Sequence, residues 1–407
     1  MNTKKLQTKY PQLLEHMRIT GYSKNYMQYI SHFIGQILEA KWKSYEEILN
    51  HYEKTAVSKR DSSKKKAVLN VIASFDCHDV LPGTQSKSKY FHRASAYDYL
   101  NQEYKDLVDK YSSNADTNHK KESTVRNECR NAGSFLMSLQ KSGFGSLSSI
   151  TGDAVISVLT DEFGCPSKSS SYSTQIIAVF KKLAEQNNEC LRIMKLIPKI
   201  RKHRKNVQYL TPDERTRVKN ALKDTENIIS PRNRAIGHLL YFTGLRCSDI
   251  SNLKFSDLDL DKDEICIRQQ KTNSALKLPL SAIVGNSIYD YVNEYRVQSE
   301  SPYIFLSEST PYGKLNPASI STIANQIYDN AGIRLKPADR RGGHLFRHNF
   351  ATTMLENGVS RAVISSAMGH NSPASVETYL SADMVHLKEC SLSIEDFPLR
   401  NGVFRNE

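Results

Sequence analysis

Residues 199–205 read KIRKHRK, and six residues further on Thr211-Pro212-Asp213-Glu214 opens a helix. Thr stands at the N-cap, Pro at the first helical position, and Glu at the third closes a capping box. This junction separates two kinds of sequence. Upstream, the apolar residues follow only the three-and-four spacing of helices. Downstream, two short alternating runs interrupt the helices. With 407 residues the chain exceeds what one compact core normally holds. We expect an N-terminal helical domain over 1–85, a second helical domain over 86–198, a basic linker over 199–210 and a mixed domain over 211–407. The fold class is mainly α with a small β-hairpin or sheet, the strands confined to an α+β C-terminal domain.

In the first segment Met27, Ile30, Phe33, Ile34, Ile37 and Leu38 share a helix face. The basic stretch 58–66 reads as a polar break, 67–75 as a further helix, and 79–89, with Pro82-Gly83, as a linker. Tyr97, Leu100, Tyr104, Leu107, Val108 and Tyr111 define one aromatic-rich helix that ends in the polar stretch 112–118. Helices follow over 125–139, 151–159 and 173–183, with a serine-rich loop at 167–171. Phe33, Ile34, Ile37, Trp42 and Ile48 are echoed 102 residues on by Phe135, Leu136, Leu139, Phe144 and Ile150. The echo suggests a duplicated helical module; chance similarity is the other reading. Beyond 211, helices are expected at 234–242 and 248–253. Strands are expected at 264–268 and 276–280 around a turn of Lys271, Thr272, Asn273 and Ser274, and helices after 318.

The formal net charge is +13, which points to a polyanionic partner. The basic run of Lys199, Arg201, Lys202, Arg204 and Lys205 is either a solvated linker or a segment lying along phosphates. Seven cysteines, an odd number with no C-x-x-C pair, argue against a disulfide framework or a zinc site. No apolar run approaches the length of a membrane span and the N-terminus lacks the apolar region of a secretory signal, so a cytoplasmic location is expected.

Four pieces carry chemistry in combination. They are Thr243-Gly244-Leu245-Arg246 with Asp249 behind it, Lys271 in the hairpin turn, His344-Leu345-Phe346-Arg347-His348, and Gly369-His370 with Tyr379 nine residues on. Each alone is commonplace. In this order and with these flanks the chain resembles the tyrosine recombinase (phage integrase) family, of the integrase or transposase type found in mobile elements. The resemblance is strong over about 205–385 and weaker over about 90–195, which is similar to the family's helical core-binding domain. Asn349, Thr353 and Met368 stand where the family often has Thr, His and Leu, which leaves the subfamily open.

The resemblance implies a site of Arg246, Lys271, His344, Arg347, His370 and the nucleophile Tyr379. Two guanidiniums suit the non-bridging oxygens of a phosphodiester, because their forked donors match that geometry. A phenol with an ordinary pKa near 10 needs a proton acceptor or a strongly positive site to attack. By resemblance His344 is that acceptor, Lys271 the acid for the 5′-hydroxyl leaving group, His370 a donor to the phosphate, and Asp249 an orienter of Arg246. The phosphotyrosyl link would store the energy of the broken bond, so no cofactor and no metal are expected. The implied partner is double-stranded DNA, held in a C-shaped clamp by a homotetramer, with an accessory DNA-bending or directionality factor conceivable and the nucleoid the place of action. The apolar tail of Met384, Val385, Leu387, Leu392, Ile394 and Phe397 would fold back or dock on a neighbouring protomer. Residues 360–379 also resemble a helix-turn-helix, but the spacing of His370 and Tyr379 favours the catalytic reading. A type IB topoisomerase and a DNA-binding member without activity are the alternative functions.

Overall fold

The computed structural model describes residues 3–40, 42–83, 90–91, 94–115, 120–200, 208–223, 229–310, 312–336, 338–370 and 376–380. The chain divides into two compact units. One comprises Met1–Val68, Asp79–Gln85 and Lys205–Glu407, and the other Leu69–His78 and Ser86–Arg204. Among the described residues the secondary structure is mainly helical with one small antiparallel sheet, as the sequence implied.

The N-terminal helices are α1 (Thr3–Ile19), α2 (Lys24–Glu39), α3 (Tyr45–Thr55) and α4 (Lys59–His78). Ser23 and Ser44 cap α2 and α3 through their hydroxyls, and α2 buries Ile30, Phe33, Ile34 and Ile37 as its spacing predicts. The expected break at 58–66 is instead the beginning of α4. Ser58 Oγ accepts a hydrogen bond from the Asp61 amide, and Lys65 pairs with Asp61 at 2.9 Å one turn on. Lysine and arginine are good helix formers, so a polar run that reads as a break is a solvated first stretch of helix.

The second unit holds α5 (Gln102–Asn114), α6 (Glu122–Lys141), α7 (Gly152–Leu159), α8 (Ser170–Leu183) and α9 (Asn188–Leu196). Its core is built from Tyr104, Leu107 and Tyr111 on α5, Phe135, Leu136 and Leu139 on α6, and Ile176, Val179 and Phe180 on α8. Tyr97 does not continue α5. It lies on a separate 3-10 turn, because the Asn101 side chain accepts from the Tyr104 amide and starts the helix there. The helix then runs through Ser112 and Ser113 to Asn114, past the expected break. Ser170 and Ser171, expected in a loop, form the first residues of α8, with the Ser169 hydroxyl as cap.

In the 205–407 segment the capping box at Thr211 and Glu214 forms as read and begins α10 (Pro212–Lys223). Then come α11 (Pro231–Thr243), α12 (Cys247–Ser251) and a sheet of β1 (Leu258–Asp259), β2 (Glu264–Arg268) and β3 (Ala275–Pro279) in that order. Ile265 pairs with Leu278 and Ile267 with Leu276, which puts the apolar alternation of both strands on the buried face. The chain continues through α13 (Ala282–Asp290), α14 (Pro317–Asn330), α15 (Gly343–Glu356), α16 (Arg361–Ala367) and the short α17 (Glu377–Leu380). Gly244 ends α11 at φ +59°, and a Cβ there would lie 2.7 Å from Phe350, so both the backbone and the space require glycine. Helix α15 joins two cores. Leu345 and Phe346 enter the main one, while Ala351 and Leu355 pack with Ile364, Met368, Val376 and Tyr379 in a smaller cluster.

Candidate active site

The left-handed turn at Gly244 redirects the chain so that Arg246 becomes the N-cap residue of α12. Its guanidinium donates through Nη1 to Oε1 of Gln269 at 2.5 Å and lies 4.0 Å from Oδ2 of Asp249, one helical turn on. Asp249 is buried, and its Oδ1 accepts from the Gln270 amide at 2.9 Å, which ties α12 to the hairpin. Burial pulls the Arg246 pKa down, opposed by the negative charge of Asp249 and by Tyr379.

Arg347 reaches the same region from α15 and is only 4% exposed. Nη1 donates to the Gly244 carbonyl at 2.9 Å and Nη2 to the Met368 carbonyl at 2.5 Å. These bonds fix the plane of the guanidinium against the turns on either side. Burial, and then the nearby Arg246, push its pKa down to about 10. It therefore stays protonated at neutral pH.

The other expected residues surround this pair. His344 stands one turn before Arg347 and is exposed. Partial desolvation lowers its pKa first, followed by the charges of Arg347, Arg340, Lys271 and Arg246. His370 follows Gly369, and its amide donates to the Ser365 carbonyl at 3.0 Å. Burial, with Arg347, Arg246 and Lys271 close by, holds His370 at about 4, and its buried Nδ1 has no hydrogen-bond partner among the described residues. Lys271 is exposed in the hairpin turn, and its charge is felt at both His344 and His370. Tyr379 is 5% exposed. Burial raises its pKa, and Arg347, Arg246 and Arg340 pull the other way. The six motif residues, separated by up to 133 positions (379 − 246 = 133), thus share one electrostatic neighbourhood. Lys199 is exposed after α9; Arg201, Lys202, Arg204, Lys205 and the apolar tail lie outside the described residues.

Three residues of the site were not among the sequence candidates. Gln269 is 1% exposed, and its Oε1 accepts from both Arg246 and Thr272 while its Nε2 donates to the Met368 carbonyl. A Cβ on Gly369 would collide with this side chain. A signal existed: Ile265, Ile267 and Gln269 continue one alternation, so a polar side chain was due on a buried face. His348 places Nδ1 3.2 Å from the Tyr379 hydroxyl. Arg340, exposed just ahead of α15, contributes positive charge at Tyr379, His344 and His348.

Such a site presents fixed positive charge, neutral imidazoles and a phenol around one point, which suits transfer of an anionic phosphoryl group to a protein oxygen. Residues 208–386 match the phage integrase family. The chain is 34% identical over 163 residues to the y4gC integrase/recombinase of Sinorhizobium fredii, covering 40% of this chain and 83% of that one. It is 34% identical over 159 residues to the tyrosine recombinase XerA of Pyrococcus furiosus, covering 39% of this chain. It spans 53% of that XerA and 62% of the XerC of Anoxybacillus flavithermus. In fold it is similar to the XerH site-specific recombinase crystallised with difH DNA after cleavage, with a TM-score of 0.54 at 18% identity over 70% of this chain and 93% of that one. Among the described residues no helix is long and apolar enough to cross a membrane. With the y4gC protein matched over most of its length and the arginines, histidines and tyrosine gathered as the motif demands, the chain belongs to the phage integrase family of tyrosine recombinases, enzymes that cut and rejoin DNA strands.

Proposed function

We propose that this chain is a site-specific recombinase that cuts one DNA strand with Tyr379, holds it as a 3′-phosphotyrosine, and rejoins it to a new 5′-hydroxyl to integrate or excise a mobile element. The observation that carries the reading is the placement of the Tyr379 phenol in the field of Arg246 and Arg347, both anchored by protein contacts. Each guanidinium has five donors, and those not committed to Gln269, Gly244 and Met368 would meet the non-bridging oxygens of the scissile phosphate. Lys271 would protonate the leaving 5′-oxygen, His370 would donate to the phosphate, and a histidine of α15, His344 in the family pattern, would accept the phenolic proton. Asp249 would hold Arg246 in place.

The same reading makes double-stranded DNA the partner, with 86–198 as core-binding domain, 211–407 as catalytic domain, 1–85 as an accessory or duplicated DNA-binding module, and the basic run from Lys199 to Lys205 along phosphates. Four protomers on paired sites, aided where needed by a bending or directionality factor, would act on DNA in the cytoplasm. The test is denaturing electrophoresis after incubation with nicked suicide DNA from the ends of the chain's own element. A slow-migrating covalent adduct is expected; DNA bound without any adduct would leave a binding-only protein.

Two further outcomes follow. Gln269→Ala removes the side chain that joins Arg246, the hairpin and Met368, leaving buried groups unsatisfied. The cost is about 1–3 kcal/mol of stability, read by thermal unfolding. Adduct formation should slow by roughly ten- to a hundredfold, and an unchanged cleavage rate would remove Gln269 from the site. DNA affinity should fall steeply with salt, by about a thousandfold between 50 and 200 mM for six phosphate contacts. A flat response in a filter-binding titration would contradict the phosphate-dominated picture.

A further inference from the structure

The Tyr379 hydroxyl has a neighbour that the motif pattern leaves without a role. His348 follows Arg347 and lies four residues after His344, on the same face of α15. Its Nδ1 is 3.2 Å from the Tyr379 oxygen and the two ring centroids are 5.4 Å apart. The His344 ring is adjacent, its centroid 6.4 Å from that of His348. We propose that His348, rather than the His344 of the family pattern, takes the phenolic proton of Tyr379 when the strand is cut and returns it when the strand is rejoined, an inference that rests on the strand-transfer reading above.

The chemistry balances without a further reactant. The Tyr379 oxygen bonds to phosphorus and the bond from phosphorus to the 5′-oxygen breaks. The phenolic proton passes to Nδ1 of His348, and the 5′-oxygen takes a proton from Lys271. Rejoining runs these transfers in reverse. The acceptor therefore needs no exchange with solvent between the two steps, which suits a ring whose Nε2 is buried with no partner among the described residues.

The charges around His348 set when this transfer occurs. It faces His344 and Arg347 on its own helix, Arg340 in the preceding loop and Tyr379 on α17. Burial, then Arg340, His344 and Arg347, lower its pKa to about 4, so at neutral pH the ring is neutral and one nitrogen is free to accept. In the free protein the proton stays on Tyr379, because burial raises the phenol. A bound phosphodiester changes both sides. Its negative charge offsets the neighbouring arginines and makes an imidazolium less costly. As the oxygen attacks phosphorus it becomes far more acidic. Transfer is then coupled to bond formation, as general base catalysis requires.

The experiment is the rate of adduct formation on saturating suicide DNA between pH 6 and 9, for the unaltered protein, His348→Asn and Tyr379→Phe. Asparagine keeps a hydrogen-bond acceptor near the Nδ1 position but cannot take the proton. The unaltered protein is expected to cleave at a nearly level rate across this range. His348→Asn should be slower at pH 7 by about 10²–10³-fold and should climb about tenfold per pH unit, since hydroxide must then make the phenolate. DNA affinity should be unchanged. A purely structural role predicts a constant deficit with the same profile, so parallel profiles or an undiminished rate overturn the proposal while the strand-transfer reading stands. If the unaltered protein forms no adduct at any pH, that reading falls and takes the proposal with it. Should thermal unfolding show His348→Asn to be misfolded, His348→Gln serves in its place under the same criteria.

Discussion

Tyr379→Phe is expected to bind DNA as the unaltered protein does and to form no covalent adduct with it. The substitution removes one oxygen from a side chain that is 5% exposed and uncharged at neutral pH, so it touches neither the phosphate-facing charge nor the apolar packing. The ring keeps its place beside Ala351, Leu355, Ile364, Met368 and Val376. What is lost is the contact to His348 Nδ1. One unmade hydrogen bond in a buried site costs about 1 kcal/mol, too little to unfold a domain with the core that this one has. Nucleophilic function, by contrast, has no substitute. A neighbouring water lacks a covalent tether, and attack by it would yield a free broken end. The measurement pairs a mobility-shift titration with denaturing electrophoresis on the same samples. Affinity within about threefold with no adduct confirms the assignment, because a threefold change is about 0.65 kcal/mol, below one lost buried contact. An adduct of ordinary yield from the Phe variant would place the nucleophile on another residue.

The candidate site was legible in the sequence to the degree that the chemistry proposed for it depends on residue type and short spacing. Arg246 after the Gly244 turn, the pairing of His344 and Arg347 on one helix face, and Tyr379 nine residues after His370 are local patterns. The capping box at Thr211 and the alternation of Ile265 and Ile267 were equally readable, since each is decided within a few residues. Gln269 and His348 were missed because their partners are distant in sequence: Gln269 meets Met368 across 99 positions and His348 meets Tyr379 across 31. Whether a polar side chain is buried and satisfied depends on segments that only the tertiary fold brings together. The same applies to β1, whose two residues gain strand geometry only by pairing with β2. At 58–66 the failure was of another kind. A polar run suggests a break for want of an apolar stripe, although its residues are good helix formers.

That dependence on distant partners makes Arg246 the second informative target, and the choice of substitute decides what is learned. Arg246→Ala deletes the charge and also strands its neighbours. The Asp249 side chain has 0% exposure and would be a buried carboxylate without its cation, while Gln269 Oε1 would lose a donor. Breaking a buried pair in this way costs about 3–5 kcal/mol, enough to confuse lost activity with lost folding. Arg246→Lys keeps a positive charge for Asp249 but replaces the planar fork with a point charge. The Lys variant should therefore melt near the unaltered protein and bind DNA within a few fold. Its adduct formation should be slower by about 10²–10³-fold, the range for removing one preorganised donor to a developing oxyanion. That factor corresponds to about 2.7–4 kcal/mol in the barrier, appearing in the cleavage rate alone. If Arg246→Lys cleaves at the ordinary rate, forked recognition of the phosphate is not what Arg246 supplies. If it cleaves slowly but also melts early, Arg246 acts first as the partner of Asp249 and Gln269. Only slow cleavage in a stable, DNA-binding variant assigns the guanidinium to the transition state.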